Sequence, residues 1–66
     1  MRTTTFDTVN SRMVIDFGNN SQLIHDSKLK MANKLKDGEC IEKFSTDGML
    51  LETFTQIVEN IDKSLN

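Results

Sequence analysis

Ser27-Lys28-Leu29-Lys30-Met31-Ala32-Asn33-Lys34-Leu35-Lys36-Asp37-Gly38 is the stretch that decides how many strands this chain builds. Read with a period of two, it puts Leu29, Met31, Asn33 and Leu35 on one face. Lys28, Lys30, Ala32, Lys34 and Lys36 fall on the other, as they would on a strand. Asp37-Gly38 then reads as a type I′ turn, because both residue types tolerate positive φ, and it leads into a strand from Glu39 to Phe44. In that register Leu35 faces Cys40 and Met31 faces Phe44. Read with the helical period, the stretch is coherent too. Lys, Leu, Met and Ala are good helix formers, Asp26 or Ser27 supplies an N-cap, and Gly38 a C-terminal stop. A helix extended back to Ser21 aligns Ile24, Met31 and Leu35, with Lys28 as the misfit on that stripe. Segment 27–37 is therefore strand or helix, and the hairpin has the better-matched arms.

Toward the C-terminus the period is unambiguous. Leu50, Leu51, Phe54, Ile57, Val58, Ile61 and Leu65 fall within an arc of about 120° at 100° per residue, one face of an α-helix. Glu52, Thr55, Glu59, Asp62 and Lys63 take the other side. The helix is expected over 47–64, with Thr46 or Asp47 as its N-cap. Apolar residues beyond what a small sheet can cover are expected near Ile61 and Leu65.

Toward the N-terminus the chain reads as β-structure. Met13, Ile15 and Phe17 alternate with Arg12, Val14 and Asp16, and Thr3 to Val9 is rich in β-branched residues. A two-residue turn at Asn10-Ser11 would set Phe6 opposite Ile15. A turn with Asn19-Asn20 at its centre would set Ile24 opposite Ile15. The apolar row Phe6, Ile15, Ile24 would then cross three strands. No internal repeat stands out. The expected fold is α+β in one domain, 1–66: a small antiparallel meander of three to five strands, packed by one C-terminal amphipathic helix.

Composition narrows the function. The chain has 66 residues, with 8 Lys and Arg against 10 Asp and Glu, and one Cys, one His and no Pro. One Cys forms no internal disulfide, and one Cys with one His falls short of a structural zinc site. No cofactor or metal is expected. A lone thiol fits a reducing compartment, so the cytoplasm is expected. No apolar run approaches the roughly 18–20 residues that span a bilayer, and Met1 to Asn10 lacks the apolar core of a secretory signal. No membrane partner is expected. A core this small supplies only about 3–5 kcal/mol, so self-association into a homo-oligomer is a natural remedy.

The residues of catalysis are sparse. His25 is the only base that titrates near neutral pH, and on a strand its neighbour Asp26 points to the opposite face and cannot orient it. Cys40 lies between Glu39 and Ile41, with Glu42 near, a setting that does not favour a thiolate. Gly18, Gly38 and Gly48 are isolated, so no phosphate-cradling loop is present. No catalytic residue is assigned, and an enzyme is not expected.

Two charged surfaces remain. Asp47, Glu52, Glu59 and Asp62 line the polar side of the helix, an acidic face for a protein partner. Lys28, Lys30, Lys34 and Lys36 form a basic stripe in the strand reading, an alternative site for nucleic acid. No aromatic residue interleaves with them to stack bases. The leading expectation is a small non-enzymatic protein-binding regulator or inhibitor that occupies a macromolecular partner through this face or an exposed sheet edge. By analogy of size alone, it is of the kind encoded by phages and mobile elements. The alternatives are a nucleic-acid binder using the lysines, or a structural homo-oligomer.

Overall fold

The structure, a computed structural model, describes residues 2–65. Five strands run in the order β1 (Thr3–Asp7), β2 (Arg12–Gly18), β3 (Ser21–Asp26), β4 (Met31–Lys36) and β5 (Glu39–Ser45), followed by helix α1 (Leu51–Leu65). The strands form one antiparallel sheet in chain order, a meander with β1 and β5 at its edges. The fold is the expected α+β arrangement. The ambiguous stretch is a turn followed by a strand, and it forms the expected hairpin through Asp37 and Gly38, whose φ values of 54° and 81° are those of a type I′ turn.

The core lies between one face of the sheet and α1. Ile15, Phe17, Leu23, Ala32 and Val58 are buried, with Met13, Phe44, Phe54, Ile61 and Leu65 packed around them. Two cross-strand rows face the helix. One runs Thr4, Ile15, Leu23, Lys34, Glu42 and the other Phe6, Met13, His25, Ala32, Phe44.

These rows correct three expected registers. Four residues, 8–11, join β1 to β2, so Phe6 stands opposite Met13 and Thr4 opposite Ile15. An irregularity between Asp16 and Gly18 inserts one extra residue into β2, so Leu23 and not Ile24 meets Ile15. Because side chains alternate, that single residue sends Leu23 into the core and Ile24 to the opposite face. The Asp16 side chain accepts a hydrogen bond from the Gly18 backbone N–H at 2.8 Å, which holds the distortion. A second irregularity, in β5 between its Cys40 and Glu42 pairings, keeps Leu35 opposite Cys40 but moves Met31 to Ser45 and Ala32 to Phe44. The lysine-bearing side of β4 is the one that faces the helix: Ala32, opposite His25, is a core residue there, and Lys34, opposite Leu23, shares its face.

The helix starts four residues later than expected. Gly48, at φ 75°, turns the chain after β5, and the Phe54 N–H donates to the Leu50 carbonyl at 3.1 Å. Leu50 is therefore the N-cap, in place of Thr46 or Asp47. The apolar excess of the helix lies at this end, at Leu50 and Leu51, while Ile61 and Leu65 pack against the core.

The backbone repeats although the sequence shows no repeat. Phe6, His25 and Phe44 occupy matching positions at intervals of 19 residues, as do Asp7, Asp26 and Ser45. Ser11 and Lys30, each closing a four-residue loop at φ near 55°, keep the same interval. The helix takes the place of the strand that would have completed a third hairpin.

Candidate functional site

The two ends of the sheet are unlike. At one end Asn19-Asn20 and Asp37-Gly38 make tight two-residue turns, and Asp37 donates its backbone N–H to the Asn20 carbonyl at 2.9 Å. At the other end, three longer connections stand side by side: 8–11, 27–30 and 46–50.

Each of these connections is stiffened from within. Asp7 accepts from the Asn10 side chain at 2.8 Å and from its backbone N–H at 3.2 Å, and these bonds hold its carboxyl below the usual range. Asp26 accepts from the N–H groups of Lys28 and Leu29 at 3.0 and 3.1 Å. The Ser45 hydroxyl accepts from the Asp47 N–H at 3.2 Å. Asp and Ser recur here because short oxygen-bearing side chains satisfy turn N–H groups.

The connections are also tied to one another. The Ser27 N–H donates to the Ser11 carbonyl at 2.9 Å and the Thr46 N–H to the Lys30 carbonyl at 2.8 Å. Lys30 Nζ reaches the Asp47 carboxylate at 3.4 Å. The sheet's hydrogen bonding thus continues into its loops.

This braced end presents apolar side chains. Val9 is 86 % exposed, Leu29 71 % and Leu50 66 %, one in each connection. Leu50, with Met13, His25, Met49, Leu51 and Phe54, also borders a shallow hollow of about 230 Å³. His25 sits in its floor, half-buried, with Nε2 2.9 Å from the Thr46 hydroxyl and its ring 5.1 Å from that of Phe54. Asp26 lies on the opposite face of β3, engaged with loop N–H groups and 3.8 Å from Arg12, so it does not orient the imidazole. Among the described residues, no three His, Cys, Asp or Glu side chains converge as ligands of a metal would.

The residues singled out from the sequence are dispersed. Asp47 lies in the connection before α1 and pairs with Lys30. Glu59 and Asp62 are 3.2 and 3.6 Å from the Arg2 guanidinium, and Glu52 is exposed in the first helical turn. Lys28 and Lys30 belong to the 27–30 turn, while Lys34 faces Glu42 across the β4–β5 ladder. Lys36 donates to the Asn19 carbonyl at 2.6 Å. Cys40 is exposed at the start of β5. Sequence reasoning missed Val9, Leu29 and Leu50 as a group. Their common signal was an apolar residue within each polar connection, legible only once those connections were known to adjoin.

The fold and this surface define a class: a two-layer α+β protein, an open five-stranded meander with one covering helix and an apolar loop end. Comparison with protein-family models, with curated proteins and with solved structures finds no match. No helix among the described residues is long and apolar enough to cross a membrane.

Proposed function

We propose that the chain is a non-enzymatic protein-binding module, a regulator or inhibitor, whose contact surface is the loop end of the sheet. One observation carries the reading: Val9, Leu29 and Leu50 stand exposed on three adjoining, mutually hydrogen-bonded connections. One exposed leucine means little, since much of any protein surface is apolar. Three on adjoining connections, one of them Leu50 on the border of the hollow beside Leu51 and Met49, are an apolar display of the kind that binds other proteins. Binding residues concentrate on loops held by a rigid scaffold, and the bonds between these loops reduce the ordering cost of binding. The partner that fits is a protein with an exposed apolar side-chain cluster. The lysines support the nucleic-acid alternative less well, because they are split between a turn and the helix-facing side of β4.

The test is capture from lysate of the source cell by the tagged chain, with and without nuclease, beside the triple variant Val9→Ser, Leu29→Ser, Leu50→Ser. The reading expects a protein retained after nuclease by the parent chain and lost by the variant, at unchanged circular dichroism. Capture that disappears with nuclease, or that the triple variant keeps, overturns it.

A further inference from the structure

The two free edges of the sheet differ, and the difference points to self-pairing. β5 has the features that discourage strand addition: a bulge and three charged side chains, Glu39, Glu42 and Lys43. β1 has none of them from Thr3 to Phe6. It is regular, uncharged there and made of Thr-Thr-Thr-Phe, with every one of these side chains exposed. Residues of this kind favour extended pairing.

Between β1 and α1 lies a further hollow, of about 220 Å³, bordered by Thr4, Met13 and Ile15 on the sheet and by Leu51, Phe54 and Val58 on the helix, with Arg2 and Thr55 also on its rim. Thr4, the cross-strand partner of Ile15, borders this space and leaves it unfilled. Two residues along the same face, Phe6 points its ring into solvent, 69 % exposed. The strand thus carries an unfilled apolar hollow and an unburied aromatic side chain at positions i and i+2.

We infer that two copies of the chain pair through their β1 strands, antiparallel about a two-fold axis at Thr5, and that each copy's Phe6 fills the Thr4 hollow of the other. An antiparallel pair centred on Thr5 sets Thr4 of one copy opposite Phe6 of its partner and Thr3 opposite Asp7. A two-fold axis normal to the sheet keeps both members of each pair on one face. Phe6 of the partner therefore stands on the helix side, where the hollow opens. No like charges oppose each other in this register, since Asp7 meets a threonine. The hollow is incomplete in one copy and closed by the other. The loop end remains free for a protein partner, so this inference does not rest on the proposed function.

The test combines sedimentation equilibrium with register-specific cross-linking. The parent chain is expected to dimerise reversibly below about 1 mM, and Phe6→Asp to weaken the dimer at least about tenfold. Phe6 is exposed in the single chain, so the variant should keep its circular dichroism spectrum. In a Cys40→Ser background, Thr5→Cys should form a disulfide-linked dimer under mild oxidation, because equivalent Cβ atoms face each other at the axis, whereas Thr3→Cys should cross-link far less. A parent chain that stays monomeric throughout this range, a dimer unaffected by Phe6→Asp, or cross-linking no greater at Thr5 than at Thr3 overturns the inference. Retention of the dimer by the Val9, Leu29, Leu50 triple variant separates this result from the loop-end test.

Discussion

Arg2, just before the first strand, donates to the Glu59 carboxylate of α1 at 3.2 Å and lies 3.6 Å from Asp62, so the two ends of the chain are joined by charge. The contact holds the helix over the β1 side of the sheet. Its side chains are about a third exposed, and water screens the pairing. Arg2→Ala is expected to lower stability by less than about 1 kcal/mol in dilute buffer, with most of the difference lost in about 1 M salt. Urea unfolding at the two salt concentrations measures both. A loss that survives high salt would assign the role of Arg2 to its methylene packing and not to its charge.

The β2–β3 register makes a sharper prediction. Leu23 is fully buried and Ile24, the next residue, is on the opposite face and only half-buried. Leu23→Ala should cost about 2–5 kcal/mol, which approaches the whole stability of a chain this small. Ile24→Ala should cost clearly less. Chemical denaturation of the two variants decides between the observed register and its one-residue alternative, since the alternative reverses the order.

That pair of residues also marks how far the sequence could be read. The helix face, the β-rich N-terminal third and the Asp37-Gly38 turn were legible, because each is a local pattern of period or of tolerance for positive φ. The register was not. It depends on an inserted residue at Phe17–Gly18, and the Asp16 side chain bonding to the Gly18 N–H is not visible as a departure from alternation. Ile24 and Leu23 are equally apolar, so composition could not choose between them. The loop surface was hidden for another reason. Val9, Leu29 and Leu50 are far apart in sequence, and only the meander brings their connections to one end.

The first of those connections has a charge signature. Asn10 donates to Asp7 from its side chain and its backbone, and these bonds favour the carboxylate form. A carboxyl whose folded-state pKa is lowered stabilises the fold above its unfolded-state value. That contribution is lost as the pH falls through the folded-state value. Asp7 should therefore titrate below the usual aspartate range in a carboxyl-detected NMR titration. In Asn10→Ala the midpoint should move up toward that range without fully reaching it, because the backbone N–H donor remains. An unchanged midpoint would remove the Asn10 side chain as the cause.

Gly38 tests the turn at the opposite end. Its φ is 81°, and an added Cβ would meet no atom within 4 Å. Any cost of Gly38→Ala is then conformational and not steric crowding, and should be about 1–2 kcal/mol by thermal or urea unfolding. Asp37→Asn keeps a residue type that tolerates positive φ and should be nearly neutral. A loss in Asp37→Asn as large as that in Gly38→Ala would mean that the Asp37 carboxylate sustains this turn as well as the backbone.

Leu50 connects stability with the proposed binding surface. It occupies the N-cap of α1, a position at which leucine offers no oxygen to the free N–H groups of the first turn. It is also 66 % exposed, so replacing it removes little packing. Leu50→Asp should then raise stability by about 1 kcal/mol, since aspartate both caps the helix and places negative charge at its positive end. The same substitution puts a charge on the apolar loop end, beside Met49 and Leu51, and should reduce capture of the proposed protein partner. Improved folding with impaired binding is what a position selected for contact produces. A variant that is stabilised and still binds fully would move the binding surface away from Leu50, and one that is destabilised would mean the leucine packs more closely against Met49 and Leu51 than its exposure indicates.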